Sequence, residues 1–381
     1  MKKIGSILIA AIALCGLLTL AACSKQSTAE VSETFAASTS EPTTEPTTEP
    51  TATPEPQYLN PLTGLPIDEA YMNRRPVAIM IEHRAVALPQ LGIGSADIIY
   101  ECAVEGQFTR CMAVYQDVSD VGEIGPIRSV RMYFLDIAGG LDSILCHCGG
   151  QKEALAEIPN RQVANMNLDS SNVVYDLDDL TSEIGSTTSF RDGNRKATMA
   201  WEHTLCSTGA LLDGYISQTD DFRTEHEDGY TYPMTFQEGY ALSGESASTV
   251  QVQVSAATTE TFTYDSGSGK YLINSTLYDS AYGGTFDGAY EDGDTGEQLA
   301  VTNGIVIYTN YSQGNYYLDA VMTGTGSGLY FCGGQCVPIT WHKDSNSTPF
   351  YYTDASGADQ IFHPGNFFVC VISSDNTVSY S

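Results

Sequence analysis

The chain has 381 residues, 47 of them acidic and 17 basic, for a formal charge of −30 at pH 7. Binding a polyanion needs a basic surface that releases counterions, so nucleic acid is excluded as a general partner, and so is electrostatic docking on anionic lipid. Hydrophobic residues at 42% exclude disorder throughout, and the length is more than one domain usually needs.

Residues 1–22 read as a lipoprotein signal peptide: Met1-Lys2-Lys3, an apolar run from Ile4 to Leu20, then small residues before Cys23. The run is too short for a stable membrane span. Leu20-Ala21-Ala22-Cys23 matches the lipobox of bacterial lipoproteins, where cleavage before Cys23 frees its thiol for a diacylglycerol thioether. Two or three acyl chains anchor a protein stably. The expected location is therefore extracytoplasmic, on the outer face of the bacterial cytoplasmic membrane. Plain secretion, with Cys23 unmodified, is the alternative.

Residues 23–57 read as a disordered Thr/Pro/Glu-rich tether built on the repeat Glu41-Pro42-Thr43-Thr44-Glu45-Pro46-Thr47-Thr48. Such a stretch buries no core, and its prolines hold it extended to a reach on the order of 100 Å.

Between residues 58 and 381 the net charge is −27, and it is unevenly spread. Only two of the 14 basic residues, Lys270 and Lys343, follow Thr231. The texture changes at the same place. Segment 58–228 reads as an α/β or α+β domain with a mixed sheet. It holds a buried strand at Pro76–Ile81, a hairpin of Ala96–Glu105 with Thr109–Gln116, and a helix over Pro126–Leu141. A strand at Ser143–Cys148 and a helix at Gln151–Ile158 stopped by Pro159 follow. Segment 229–381 reads as a mostly-β domain. Its strands include Thr249–Val254, a hairpin over Thr261–Leu277, and strands at Leu299–Tyr308, Tyr317–Met322, Gly328–Trp341, Phe350–Thr353 and Phe367–Ile372.

The strings Asn60-Pro61-Leu62-Thr63-Gly64-Leu65-Pro66, Ala96-Asp97-Ile98-Ile99-Tyr100-Glu101 and Gly125-Pro126-Ile127-Arg128-Ser129-Val130-Arg131 carry a family likeness. So do His147-Cys148-Gly149-Gly150, Phe190-Arg191-Asp192 and His363-Pro364-Gly365. In this order they resemble the YerB-like bacterial lipoproteins, over nearly all of residues 58 to 375. The resemblance implies a lipid-anchored, extracytoplasmic, two-domain protein whose domains carry no assigned reaction, and it transfers no catalytic residue.

Arginine is the most informative residue type. Arg128 and Arg131, one helical turn apart on the expected helix, together with Arg110 and Arg191, define a cationic site. Guanidinium forks there suit an acidic ligand, phosphate or carboxylate. Pairing with internal acids such as Glu101, Glu105 or Asp136 is the other reading of the same arginines. Gly149 and Gly150, between a strand and a helix, join the ligand-binding candidates as an anion cradle, or else form a tight turn.

Glu105, Asp136 and His203 are the acid/base candidates, although no nucleophile elbow, phosphate loop or His-Glu-x-x-His helix is present. No cofactor is expected. Calcium or magnesium at Asp292 and Asp294, in an oxygen-rich stretch, is set against an acidic turn. Cys146-His147-Cys148 alternates across a strand and makes a poor metal triplet. Cys102 with Cys111, and Cys332 with Cys336, flank turns and are disulfide candidates in an oxidising exterior, or buried thiols.

The function this supports is a cell-envelope binding or scaffold module with an arginine-lined site, leaning away from an enzyme. Its expected partners are the membrane through the lipid, envelope proteins and anionic wall polymers, and not nucleic acid. The alternative is an envelope transferase or hydrolase acting on phosphorylated glycan or lipid-linked wall precursors. There Arg110, Arg128 and Arg131 would stabilise phosphoryl charge, with Glu105 or Asp136 as base or magnesium ligand.

Overall fold

The structure is a computed structural model and describes residues 58–168, 188–220, 222–279 and 283–381. The expected signal peptide, Cys23 and the expected tether lie outside the described residues. Among the described residues no helix is long and apolar enough to cross a membrane.

The first half supplies β1 (Val77–His83), β2 (Ile98–Ala103), β3 (Thr109–Tyr115), helix α1 (Met132–Gly140), β4 (Ile144–His147), helix α2 (Lys152–Arg161) and β5 (Asn165–Asn167). It ends on helix α3 (Gly209–Gln218). The second half supplies β6 (Thr249–Gln253), β7 (Thr258–Asp265), β8 (Lys270–Asp279), β9 (Gly284–Ala289), β10 (Asn303–Thr309), β11 (Gly324–Cys332), β12 (Gln335–Lys343), β13 (Phe367–Ser373) and β14 (Val378–Tyr380).

All seven residues of β1 are buried, as are all six of β2 and all seven of β3, the mark of strands covered on both faces. They lie in the middle of a mixed sheet that runs β12-β11-β10-β13-β2-β3-β1-β4-β5. Strand β13 pairs in parallel with both β2 and β10, so the two halves of the chain share one sheet through a strand near the C-terminus.

The two faces of this sheet bury different layers. Ile79, Ile81, Ile99, Ala113 and Phe368 pack against Val250, Phe262, Tyr271 and Ile273 of a second sheet, ordered β9-β8-β7-β6-β14. Ala78, Met80, Tyr100, Met112 and Val369 pack against Phe134 and Ile137 of α1 and Ile158 of α2. The β1 residues alternate between these clusters, as a period of two requires.

The two expected helices differ, and the strand expected over Gly328–Trp341 is two antiparallel strands, β11 and β12, joined at Gly333-Gly334. The helix over 126–141 begins only at Met132. Residues 126–131 instead run extended beside β1, because their polar backbone groups are taken laterally. Glu82 N donates to Pro126 O at 3.0 Å, Arg128 N to Met80 O at 2.8 Å and Ile127 N to Leu205 O at 2.7 Å. Arg128 and Arg131 are therefore not a helical turn apart; Arg131 is the extended residue that caps α1. The second helix is not stopped by Pro159 but runs to Arg161, ending where Gln162 turns left-handed at φ 55°.

The disulfide expectations are corrected by register. Cys102 sits opposite Arg110 and Cys111 opposite Glu101, so the two sulfurs lie on opposite faces of the sheet, in different core clusters. Likewise Gly333 and Gly334, at φ 59° and 75°, make a two-residue turn that pairs Cys332 with Gln335 and Cys336 with Phe331. A one-residue offset sends neighbouring side chains to opposite faces. Alkylation of the unfolded, unreduced chain, read by mass, is expected to label Cys102, Cys111, Cys332 and Cys336. A crosslinked peptide joining either pair would contradict the register.

Candidate functional site

The end of β1 reads Glu82-His83-Arg84, an abrupt run of polar residues after six apolar ones. On this strand Glu82 points to the α1 face and His83 to the second sheet. Glu82 is opposite Arg110 of β3. The extended 126–131 segment lays Arg128 across them, with Arg128 Nε 3.1 Å from Glu82 Oε2. These three residues floor a cleft of about 410 Å³ whose walls include Arg84, Glu105, Phe108 and Tyr316.

Each arginine is held differently. Arg110 is 6% exposed and donates to Ser129 O at 2.5 Å. Burial, and then the charge of Arg131, push its value down to about 9, so it stays cationic at neutral pH. Arg128 keeps 21% of its side chain exposed, toward the cleft. Arg131 grips Glu105 as a fork, one arm donating from Nε to Oε2 at 2.8 Å, and its guanidinium lies 4.8 Å from the Tyr317 ring. Arg84 donates to Asp279 Oδ2 at 2.9 Å and stacks 4.1 Å over Phe108.

The acids of the cleft are ionised. Burial opposes charge on Glu82, but the His203 hydrogen bond and the Arg128 and Arg110 charges outweigh it and hold the carboxyl below its ordinary value. Glu105 is likewise held low: burial opposes its charge, and the Arg131 fork prevails. Four arginines thus meet three carboxylates, Glu82, Glu105 and Asp279, leaving a local excess of positive charge in a chain of net −30.

Of the residues singled out from sequence, Arg110, Arg128, Arg131 and Glu105 come together here. His203 stands behind them, with Nδ1 2.7 Å from Glu82 Oε2, as a buried support rather than a group open to the cleft.

The others lie elsewhere. Arg191 donates to Trp201 O at 2.5 Å and stacks 4.3 Å over the Trp201 ring, which corrects its placement in the ligand site. Asp136 pairs with Arg161 of α2, and burial raises its value to about 6. Gly149 and Gly150 form a tight turn. Gly149 N donates to Asn167 Oδ1 at 3.0 Å, and a Cβ on Gly150 would stand 2.7 Å from Val130. The Gly149 amide and the Gln151 amide, which donates to Val130 O at 3.1 Å, are spent on the fold, which corrects the anion-cradle reading.

The cation-loop reading of Asp292 and Asp294 is corrected as well. Asp292 is 1% exposed, and its carboxylate accepts from Gly92 N at 2.9 Å, Gly94 N at 2.7 Å and Asp294 N at 2.8 Å. Asp294 Oδ1 accepts from Glu123 N at 3.2 Å. Oxygens facing amide hydrogens fasten a loop of the second half onto the first and do not converge on an ion.

Glu82, Arg84, Asp279 and Tyr316 were missed by sequence reasoning. The signal available was the polar triplet closing β1. Asp279 and Tyr316 come from distant chain and carried no local sign.

Residues 62–219 match the family model "Protein of unknown function (DUF3048) N-terminal domain", and residues 250–369 match that of the DUF3048 C-terminal domain. The chain belongs to the YerB-like family that these two domains define. A Bacillus subtilis (strain 168) protein named "Putative lipoprotein YerB" is 40% identical over 108 residues, 28% of this chain; the match spans 32% of that curated relative's length. The crystal structure of YerB protein from Bacillus subtilis superposes with a TM-score of 0.65 at 25% identity, covering 84% of this chain and 99% of that one.

Proposed function

We propose that this protein is a lipid-anchored envelope lipoprotein, held through Cys23 and its tether, whose folded part binds an acidic ligand in the Arg110–Arg128 cleft. The observation that carries the reading is Arg128. It is a partly exposed guanidinium on the floor of an open cleft, anchored from behind by a buried Glu82. A phosphate or carboxylate reaching it would meet a charge-assisted donor already oriented. The name of the YerB relative supports the lipoprotein part of the reading.

Binding is preferred to an envelope transferase or hydrolase because the acid/base candidates are committed. Glu105 is held by Arg131, and Asp136 is held by Arg161 away from the cleft.

Calorimetric titration of the full chain in detergent with inorganic pyrophosphate, and with a short glycerol-phosphate polymer, tests the proposal. Saturable binding is expected, weakened on the order of 10- to 100-fold in Arg128→Ala, the loss of one charge-assisted pair. Binding of neither probe, or equal binding by Arg128→Ala, overturns it.

A further inference from the structure

Behind the arginine cleft, on the other face of the central sheet, lies a second polar cluster. His83 closes β1, Glu101 lies on β2 and Cys111 sits opposite Glu101 on β3. Glu260 reaches in from β7 of the second sheet. Each of the four residues is buried, at 0–1% exposure, in a layer otherwise made of residues such as Ile81, Ile273 and Phe368.

The groups are incompletely satisfied. His83 Nδ1 lies 2.8 Å from Glu101 Oε1 and 3.1 Å from Thr109 Oγ1. His83 Nε2 lies 3.9 Å from Glu260 Oε1, too far for a hydrogen bond. His83 Nε2, Glu260 Oε1 and Glu101 Oε2 are all buried without a hydrogen-bond partner. Among the described residues, the close contacts of Glu101 and Glu260 with a basic side chain are with His83 alone, so two buried carboxyl groups face one imidazole. Burying carboxylates costs several kcal/mol each unless charge and hydrogen bonds compensate, and three orphaned atoms in one place indicate a missing partner.

The donor set says what kind of partner. The ligand atoms of His83, Glu101 and Cys111 lie within 4.8 Å of one another. Imidazole nitrogen, carboxylate oxygen and thiolate sulfur together suit Zn²⁺, which takes all three in four-coordinate sites. The surroundings resemble an outer shell. Ser275 Oγ donates to Glu260 Oε2 at 2.6 Å, and Tyr290 stacks on His83 with centroids 4.8 Å apart. We infer that His83, Glu101 and Cys111 form a buried divalent-cation site, zinc by its donors, between the two sheets, with Glu260 of β7 beside it. Closed to solvent on all sides, such a site fills as the chain folds.

The full chain, unfolded and refolded with zinc or cobalt(II) and then desalted, tests this. Retained stoichiometric zinc is expected, together with a thiolate-to-cobalt charge-transfer band in the cobalt form. Cys111→Ser, a near-isosteric change, is expected to fold, lose that band and bind metal 10- to 100-fold more weakly; Glu260→Gln is expected to weaken metal binding with the band retained. No retained metal and no band in the wild type, or a band that persists in Cys111→Ser, overturns the site.

Discussion

Asp292→Ala is expected to destabilise the fold by about 3–5 kcal/mol, measured by urea unfolding. Truncation removes the acceptor of the Gly92, Gly94 and Asp294 amides. The carboxylate is 1% exposed, so water does not replace it freely. A buried donor left without a partner costs about 1–3 kcal/mol, and more when its lost acceptor was charged. The loop also closes a contact between distant parts of the chain, since Gly92 and Asp292 are 200 residues apart. Asp294→Ala is the control. Its bond to Glu123 N is exposed and longer, at 3.2 Å, and its loss is expected to cost under about 1 kcal/mol. Equal effects of the two substitutions would show that Asp292 is not the fastening residue.

Glu82→Gln is expected to cost about 3–5 kcal/mol as well, by a different route. Glu82 compensates Arg128 through a 3.1 Å contact, holds His203 at 2.7 Å and sits opposite the buried Arg110. Neutralising it leaves cations packed together in a poorly solvated place, and breaking a buried pair from one side is far more costly than deleting both partners. In a double-mutant cycle, Arg128→Ala is therefore expected to recover part of the Glu82→Gln loss.

The acid side of the pH profile carries the same signature. The Glu82 carboxyl is held below its ordinary value, so its stabilisation is whole above the unfolded value near about 4.3 and is lost as pH falls through the lower folded value. That portion of the acid slope is expected to vanish in Glu82→Gln. An unchanged slope would contradict the assignment.

Much of the site was legible in part. Arg110, Arg128 and Arg131 stood out because cationic residues are scarce in this chain and concentrated before Thr231. Their proximity does not come from a helix over 126–141, which would align Arg128 with Arg131 but begins only at Met132. Instead Arg128 meets Arg110 because an extended segment lies against β1, while Arg131 is held by the Glu105 fork. Arg191 carries the same side chain, yet it stacks on Trp201, because an arginine's role follows from what lies within reach of its fork.

The amino-acid sequence by itself determined the features written in local pattern. These are the apolar strand at residues 76–81, the hairpin turning at Glu105–Gln107, the alternating strands after Thr249, and the compositional break between an arginine-bearing first half and a mostly-β second half. Each depends on periodicity or turn chemistry within a few residues. Only the tertiary structure decided that β13 enters the first half's sheet, that Glu260 meets His83 and Glu101 between two sheets, and that Asp292 binds amides and not an ion. Those outcomes depend on register and on contacts between residues far apart in the chain. A one-residue shift in strand pairing would have sent His83, Glu101 and Glu260 to the opposite faces of their sheets.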